Sequence, residues 1–306
     1  MFYYLINSEL NQSSAAFRIG GPDANTYLQG QFTQDLNRSI GSAGYGLFLN
    51  QKGKVVADGY ILRLGDNDFR LVSFSLEALK LRERLEAYLI ADEVSIADET
   101  EKWVRVSVWG DGVGGGVVTK LIGQAPESGA WGEGRGIIAF RGRCSAEDNF
   151  ELLIPITEVN RIAEELRAKG GIEADVGQAE RTRIESGIPL VPVDIGLIDL
   201  PNEGGLEEVA ISYTKGCYLG QEVMARLKNL GQVRRRLHVV RGAGVTPASG
   251  APLFQGENKV GEVRSVARDG GGFVAMAMLS LVNLSSTNGL SLTPKGEANI
   301  NLTRRV

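Results

Sequence analysis

The stretch KGCYLGQE, residues 215–222, places one of only two cysteines in the chain between a lysine and two glycines. Gly216 and Gly220 let the backbone turn tightly around Cys217, and an ammonium at Lys215 favours its thiolate. The next residues, QEVMARLKNLG (221–231), set Val223, Met224, Leu227 and Leu230 at helical spacing, with Gly231 as the stop. The spacing predicts a loop cysteine just ahead of a helix N-terminus, where backbone N–H groups also favour anions. A second reading stays open, in which Cys217 is a small apolar side chain buried in a glycine-rich turn.

Outward from that stretch, 306 residues with 43% hydrophobic content are enough for two or three modules of a globular protein. The balance of 33 basic against 37 acidic side chains, net −4, argues against a generic nucleic-acid binder. The opening MFYYLI is apolar but lacks a basic flank and is too short for a signal sequence. No run approaches the roughly 18 apolar residues of a membrane span, so a cytosolic (cytoplasmic) address without membrane contact is expected. Cys144 and Cys217 lie 73 positions apart with no CxxC, so no zinc or dithiol motif is encoded, and a reducing cytosol disfavours a disulfide. Two cysteines and one histidine cannot supply four thiolates to an iron–sulfur cluster, so such chemistry needs a partner. His238 is the single histidine and sits in a strand-like RRRLHVV, which gives a histidine-based triad little support.

FRIGGPDANTYLQG (17–30) and VRVSVWGDGVGGGVVTKLIG (104–123) share a pattern of strand, glycine turn with an aspartate, and helix ending on glycine. That echo suggests two related lobes. Strand-like runs follow in each, GYGLFLN and VVADGYILRL in the first, GIIAFRGR and FELLIPI in the second. Helices are expected over 76–90 and 159–170 from their apolar stripes. After Gly231 the texture changes to short alternating runs, RRRLHVVRG, APLFQG, KVGEVRSVARDG, FVAMAMLSLV, GLSLTP and EANINLTRRV, which read as a small β-barrel. The expected division is 1–230 for two interleaved α+β lobes and 232–306 for the barrel.

GDGVGG (110–115) fits GxGxxG, but the short helix after it and the lack of a βαβ series favour a plain glycine turn over a dinucleotide fingerprint. Glu185 stands in the otherwise apolar, proline-punctuated RTRIESGIPLVPVDIGLIDLPNEGGL (181–206). Its carboxylate could accept from adjacent N–H donors, as in a pterin or guanidino edge, or simply pair with Arg181 or Arg183 in solvent. Arg226, Lys228, Arg234, Arg235, Arg236 and Arg241 cluster at the module junction, where they could meet RNA phosphates or a polyanionic tail, or lie solvated on an exposed strand. Cys144, in RGRCSAED, has no motif around it.

Taken together, KGCYLGQE, the RIESGIPL about thirty residues upstream and the GQVRRRL downstream resemble the YgfZ family of folate-binding proteins implicated in iron–sulfur cluster maintenance and tRNA modification. YLQGQFTQDL (27–36), FLNQKGKVVAD (48–58) and VGEVRS (260–265) extend the resemblance over nearly the whole chain. The family is similar to the T-protein of the glycine cleavage system, an aminomethyltransferase that uses tetrahydrofolate. The resemblance implies an α+β fold, a GcvT-like three-module cloverleaf with two mixed α+β lobes and a C-terminal antiparallel β-barrel around a folate pocket. It also implies that Glu185 takes the pterin, with Gln221, Glu222 and Arg226 around the cofactor and tetrahydrofolate or a one-carbon derivative as the ligand.

One departure bears on chemistry. T-proteins carry a catalytic aspartate in a segment similar to VSFSLEALK (72–80), whereas here Lys80 stands in its place and no Asp occurs from 72 to 91. An ammonium cannot stabilise a developing cation, so glycine-type aminomethyl transfer is not expected. The function implied is tetrahydrofolate binding in support of iron–sulfur cluster assembly or repair in client enzymes, with an effect on tRNA modification. Cys217, activated by Lys215, would make the contact with a client or cluster, and Gln221 and Glu222 would fix its loop. A folate-dependent one-carbon transferase and a non-catalytic adaptor remain as alternatives, and direct contact with tRNA stays open.

Overall fold

A computed structural model describes residues 1–6, 14–74, 77–285 and 289–306, and of Leu230 the backbone alone. Its first strand, β1 (Phe2–Ile6), crosses into the second lobe. The first lobe starts with β2 (Ala15–Gly20) and α1 (Ala24–Gln31). A meander follows, β3 (Ala43–Leu49), β4 (Val55–Gly65) and β5 (Asp68–Ser73), and then α2 (Ala78–Glu86) and β6 (Ser95–Asp98). The antiparallel sheet has the order β3-β4-β5-β2-β6.

The second lobe repeats this plan. β7 (Trp103–Trp109) leads through a π-helical turn (Gly114–Val118) into α3 (Thr119–Ile122). The meander β8 (Trp131–Gly134), β9 (Ile137–Arg141) and β10 (Asn149–Pro155) comes next, and then α4 (Val159–Ala168) and β11 (Ile172–Glu173). Its order β8-β9-β10-β7 matches β3-β4-β5-β2, so the echo between 17–30 and 104–123 marks a duplicated topology. The GxGxxG lies in the turn after β7, whose neighbours β1 and β10 are both antiparallel to it, so no βαβ unit is present there.

The two sheets meet at equivalent edges. Ser42, just before β3, bridges Ala130, just before β8, and the amides of Ala43 and Trp131 donate to Gly129 O and Gly41 O at 2.8 and 2.9 Å. β1 lies between β7 and β11, antiparallel to the first and parallel to the second. Each lobe has its own core, and a larger cluster fills the space between the lobes and the C-terminal module. There Tyr60 of the first lobe meets Phe140 of the second at a centroid distance of 4.8 Å, an aromatic contact worth about 1 kcal/mol beyond burial.

After the second lobe the chain forms α5 (Val176–Glu185), which starts on an Asp175 side chain accepting from Gln178 N and packs on strands of the last module. Then come an irregular strap, α6 (Glu207–Ala210) and α7 (Gln221–Leu230). The final module holds β12 (Arg235–Ala243), β13 (Pro252–Gln255), β14 (Asn258–Asp269), β15 (Gly272–Ser280) and β16 (Ile300–Arg305), in the order β13-β14-β15-β12-β16. The expected barrel is an antiparallel sheet not closed by a full ladder. The isolated bridges Phe254–Ser291 and Leu290–Ile300 span the gap between β13 and β16. Among the described residues no helix is long and apolar enough to cross a membrane.

The expected helices are present but shorter, α2 stopping at Glu86 and α4 at Ala168. Helix α5 was not anticipated, because its inward residues include the buried Arg183 and leave little apolar periodicity.

Candidate functional site

The motif that carries Cys217 is fastened to the first lobe by the other motif that stands out in the sequence, YLQGQFTQDL. Lys215 is buried, and its Nζ donates to Gln29 O, Phe32 O and Gln34 O at 2.9, 2.7 and 3.0 Å. An ammonium at these carbonyls caps the C-terminal end of α1, where the helix dipole favours a cation. Burial brings the Lys215 ammonium down to about 8, with the Asp35 carboxylate opposing the shift. Leu219 N donates to Gly30 O at 3.0 Å, and Ser212 N to Thr33 O at 3.0 Å. All three N–H donors of Lys215 are thus committed to backbone carbonyls.

Cys217 itself is exposed, which decides against the buried reading. It lies in a shallow cleft with Gly30, Gln31 and Gln51 on one side and the 218–222 turn on the other. Gly220, at φ +86°, must be glycine here: a Cβ would stand 2.9 Å from Asn50 O of the β3–β4 hairpin. Gln221 Oε1 accepts from Tyr218 N at 3.4 Å, so it braces the turn, whereas Glu222 is exposed in the first turn of α7. Arg226 is exposed one turn further on and does not line the cleft.

A separate, more enclosed cavity of about 310 Å³ lies between the lobes and α5. Tyr4, Tyr45, Phe74 and Trp109 form its aromatic walls, and Ile188, Pro189 and Leu190 of the strap cover it. Four of its polar side chains come from the interior of strands, Asp58 of β4, Arg105 and Ser107 of β7, and Glu151 of β10, and Arg143, Glu180 and Arg183 join them from the β9–β10 loop and α5. Tyr45 Oη donates to Asp58 Oδ2 at 2.8 Å, and Ser107 Oγ lies 2.9 and 2.8 Å from the two oxygens of Glu151. Arg105 Nε is 3.5 Å from Glu151 Oε2, and its guanidinium lies 4.1 Å from the centre of the Phe74 ring.

Burial pushes the Asp58 carboxyl up to about 6, against the lowering effects of the Tyr45 hydrogen bond, Arg143 and Arg105. Burial likewise raises Glu151, against Arg105 and Ser107. Cys144 also lines this cavity, although its sequence surroundings gave no hint, and burial with the nearby Glu151 raises its thiol well above the usual range. A thiol held protonated in this way is a poor nucleophile.

The sequence expectation joined Glu185, Gln221, Glu222 and Arg226 around one ligand. The structure separates them. Glu185 lies at the end of α5, where its Oε1 accepts from Arg241 at 2.5 Å, and it is not among the residues lining the cavity. The acid that α5 sends to the lining is Glu180, which pairs with Arg183 at 2.7 Å. Lys80 projects from α2 and pairs with Glu77 at 3.1 Å, and of the 72–80 segment it is Phe74 that reaches the cavity. Ser75 and Leu76 of that segment lie outside the described residues. Asp58, Arg105, Glu151 and Glu180 were missed, and one signal for the first three was available: single charges inside the apolar runs VVADGY, VRVSVW and FELLIP.

Three of the six side chains of the basic cluster at the junction are paired with acids. Arg235 pairs with Asp199 and Glu203 at 2.8 and 2.7 Å, Arg236 with Glu207 at 3.5 Å, and Arg241 with Glu185 and Asp269. Lys228 stands 4.3 Å from the centre of the Tyr213 ring. Nor is there, among the described residues, a cluster of three or more His, Cys, Asp or Glu side chains placed to hold a metal ion.

Comparison with known proteins fits this architecture. The GCVT N-terminal domain family matches residues 11–215, and the CAF17 C-terminal beta-barrel domain matches 234–304. The tRNA-modifying protein YgfZ of Edwardsiella ictaluri is 32% identical over 235 residues, covering 74% of this chain and 68% of the relative. The chain belongs to the YgfZ family, a relative of the aminomethyltransferases. The mouse protein named iron-sulfur cluster assembly factor IBA57, mitochondrial, is 29% identical over 287 residues, covering 87% of this chain and 75% of its own. The crystal structure of aminomethyltransferase T from Bartonella henselae matches in fold, with a TM-score of 0.81 at 20% identity over 99% of this chain and 84% of that one. Within a YgfZ-family fold, then, this chain has two distinct concavities, an exposed cleft at Cys217 and a deeper polar-aromatic cavity.

Proposed function

We propose that this protein binds a reduced folate, tetrahydrofolate or a one-carbon derivative, in the central cavity and supports assembly or repair of iron–sulfur clusters in cytosolic client enzymes. The observation that carries the reading is the separation of the two sites. An enclosed cavity with flat aromatic walls and inward charges suits a planar heterocycle, while the exposed Cys217 is free to reach a partner. The names of the YgfZ and IBA57 relatives, tRNA-modifying protein and cluster assembly factor, support this assignment of roles.

Cys217 would act as a transient ligand or contact for a cluster delivered by or to a client, the cluster being cargo that one thiolate cannot hold alone. Lys215 would serve by fixing the loop on α1 rather than by hydrogen bonding to the thiol. An effect on tRNA modification would then arise through cluster-containing enzymes, since most of the junction arginines are already paired with acids.

The test is titration calorimetry with tetrahydrofolate, alongside Cys217→Ser assayed for client-enzyme activity in cells that lack the native protein. Saturable folate binding retained by a variant that no longer supports its clients is the expected result. No binding by the wild type would remove folate from the function, and full client activity of Cys217→Ser would remove the cysteine.

A further inference from the structure

Where the two sheets meet, the surface opens into another concavity, of about 240 Å³. Gln34, Arg38 and Tyr45 line it from the first lobe, and Ser128 and Arg143 from the second. Among the described residues no Asp or Glu lines it, in a chain whose net charge is −4. Its two open cations come one from each lobe. The Arg143 guanidinium lies 4.2 Å from the centre of the Tyr45 ring and, among the described residues, has no hydrogen bond and no acid paired with it. Arg143 is half-buried, yet none of its nitrogens is sealed from solvent. Arg38 is exposed, and its Nη2 donates to Gln34 Oε1 at 3.3 Å. Arg141 also borders the concavity but is already paired with Asp148.

The backbone holds both arginines in place. Arg63 Nη1 donates to Leu36 O and Arg38 O at 3.0 and 2.7 Å, and Arg63 O accepts from Trp131 Nε1 of the second lobe at 3.0 Å. On the other side, Gly142 N donates to Asn149 O at 3.2 Å and Cys144 N to Asn149 Oδ1 at 3.4 Å, which pins the residues flanking Arg143. Cations gathered without counter-charge attract an anion, and a planar guanidinium presents a fork of donors that matches carboxylate or phosphate oxygens. We propose that this seam holds a small oxyanion of two or more negative charges, a phosphate or carboxylate compound, between Arg38 and Arg143. The Tyr45 ring supports the Arg143 side chain, so less freedom is lost on binding. This site goes beyond the folate reading and does not rest on it. Arg143 and Tyr45 also line the central cavity, so the two concavities share a wall.

The experiment is calorimetry on the full chain at low ionic strength with inorganic pyrophosphate and, separately, citrate, using wild type, Arg38→Met, Arg143→Met and Arg234→Met. Methionine keeps the stem and removes the charge. Arg234 is exposed but does not line the concavity, so its variant reports diffuse attraction. Wild type should bind one anion per chain, and Arg38→Met and Arg143→Met should each weaken it roughly 10-fold. Arg234→Met should change the affinity less than about 2-fold, as for a screened charge outside the site. Loss of the half-buried Arg143 could disturb folding, and the exposed Arg38 supplies the independent variant.

Tighter pyrophosphate than citrate assigns a phosphate ligand, and the reverse a carboxylate one. Equal losses in all three variants, or no saturable binding of either anion, would overturn the site. The pyrophosphate titration is then repeated with tetrahydrofolate bound. Retained binding upholds a separate site, whereas displacement would make the seam part of the central cavity and overturn it. Failure of tetrahydrofolate itself to bind would overturn the folate reading and leave the anion result standing.

Discussion

Lys215 donates to Phe32 O at 2.7 Å across 183 residues of sequence, and this contact ties the cysteine motif to the C-terminal end of α1. Two further carbonyls, of Gln29 and Gln34, share the same ammonium. Replacing Lys215 with Met keeps the stem and removes the donors, leaving three carbonyls short of a partner. The expected loss is about 3 kcal/mol of unfolding free energy, at roughly 1 kcal/mol or more per unsatisfied group. Urea unfolding of the variant checks it, and an unchanged midpoint would mean that other donors take over the carbonyls.

The acids in the cavity make stability depend on pH in a direction opposite to that of ordinary ion-paired carboxylates. Asp58 is raised to about 6 in the fold, so between about pH 4 and 6 the native state binds more protons than the unfolded chain. Stability from this group is present below the unfolded pKa and falls as pH rises through 6. The groups facing Asp58 are Tyr45, Arg143 and Arg105, and the favourable charges of the two arginines are already opposed within that shift. Asp58→Asn should therefore be relatively more stable than wild type at pH 7.5 than at pH 4, by about 2–3 kcal/mol at 1.36 kcal/mol per pKa unit. Parallel denaturant titrations at the two pH values measure the difference, and a pH-independent gap would place the Asp58 pKa near its ordinary value.

How much of this was legible in the sequence follows from the range of the interactions. Local patterns located α4, α7, the two meanders and the change of texture at residue 231, because each element buries a face with its own period. They could not place β1, whose partners β7 and β11 are some hundred or more residues away. They also grouped Glu185 with Gln221 and Glu222, which line a cleft that Glu185 does not reach. The KGCYLGQE motif gave the exposed cysteine, and resemblance gave a folate acid at Glu185, but the cavity joins single charges in β7 and β10, which strand pairing brings together, to Asp58 of β4 in the other sheet and to Glu180 and Arg183 of α5. Helix α5 escaped because a buried arginine breaks the apolar rhythm that would have announced it.

Separate sites imply separate thiol chemistry. Cys217 is exposed, while Cys144 is recessed in the cavity with its thiol raised by burial and by Glu151. A maleimide reagent at pH 7 should modify Cys217 first and Cys144 at least about 10-fold more slowly, in line with thiolate fraction and access. Tetrahydrofolate should slow labelling of Cys144 further and leave Cys217 unaffected. Peptide mapping by mass spectrometry reads both rates at once, and equal protection of the two cysteines would mean that the sites communicate.

As well as on Lys215, the turn that presents Cys217 depends on Gly220. Its φ of +86° lies in the left-handed region, and a Cβ would meet Asn50 O at 2.9 Å and Leu49 Cβ at 3.1 Å. Relief would have to come from the β3–β4 hairpin, where Asn50 Oδ1 already accepts from the amides of Lys52 and Lys54 at 2.9 and 3.0 Å. Gly220→Ala should therefore cost about 2 kcal/mol or more, the sum of left-handed strain and the backbone clash. The conservative comparison is Gly216→Ala, four residues earlier, where a Cβ meets nothing within 4 Å. That variant should stay within about 0.5 kcal/mol of wild type, as for a surface change. If both substitutions cost the same in thermal unfolding, the hairpin is not what fixes the turn; if only Gly220→Ala is costly and it also slows labelling of Cys217, the contact with Asn50 sets the exposure of the cysteine.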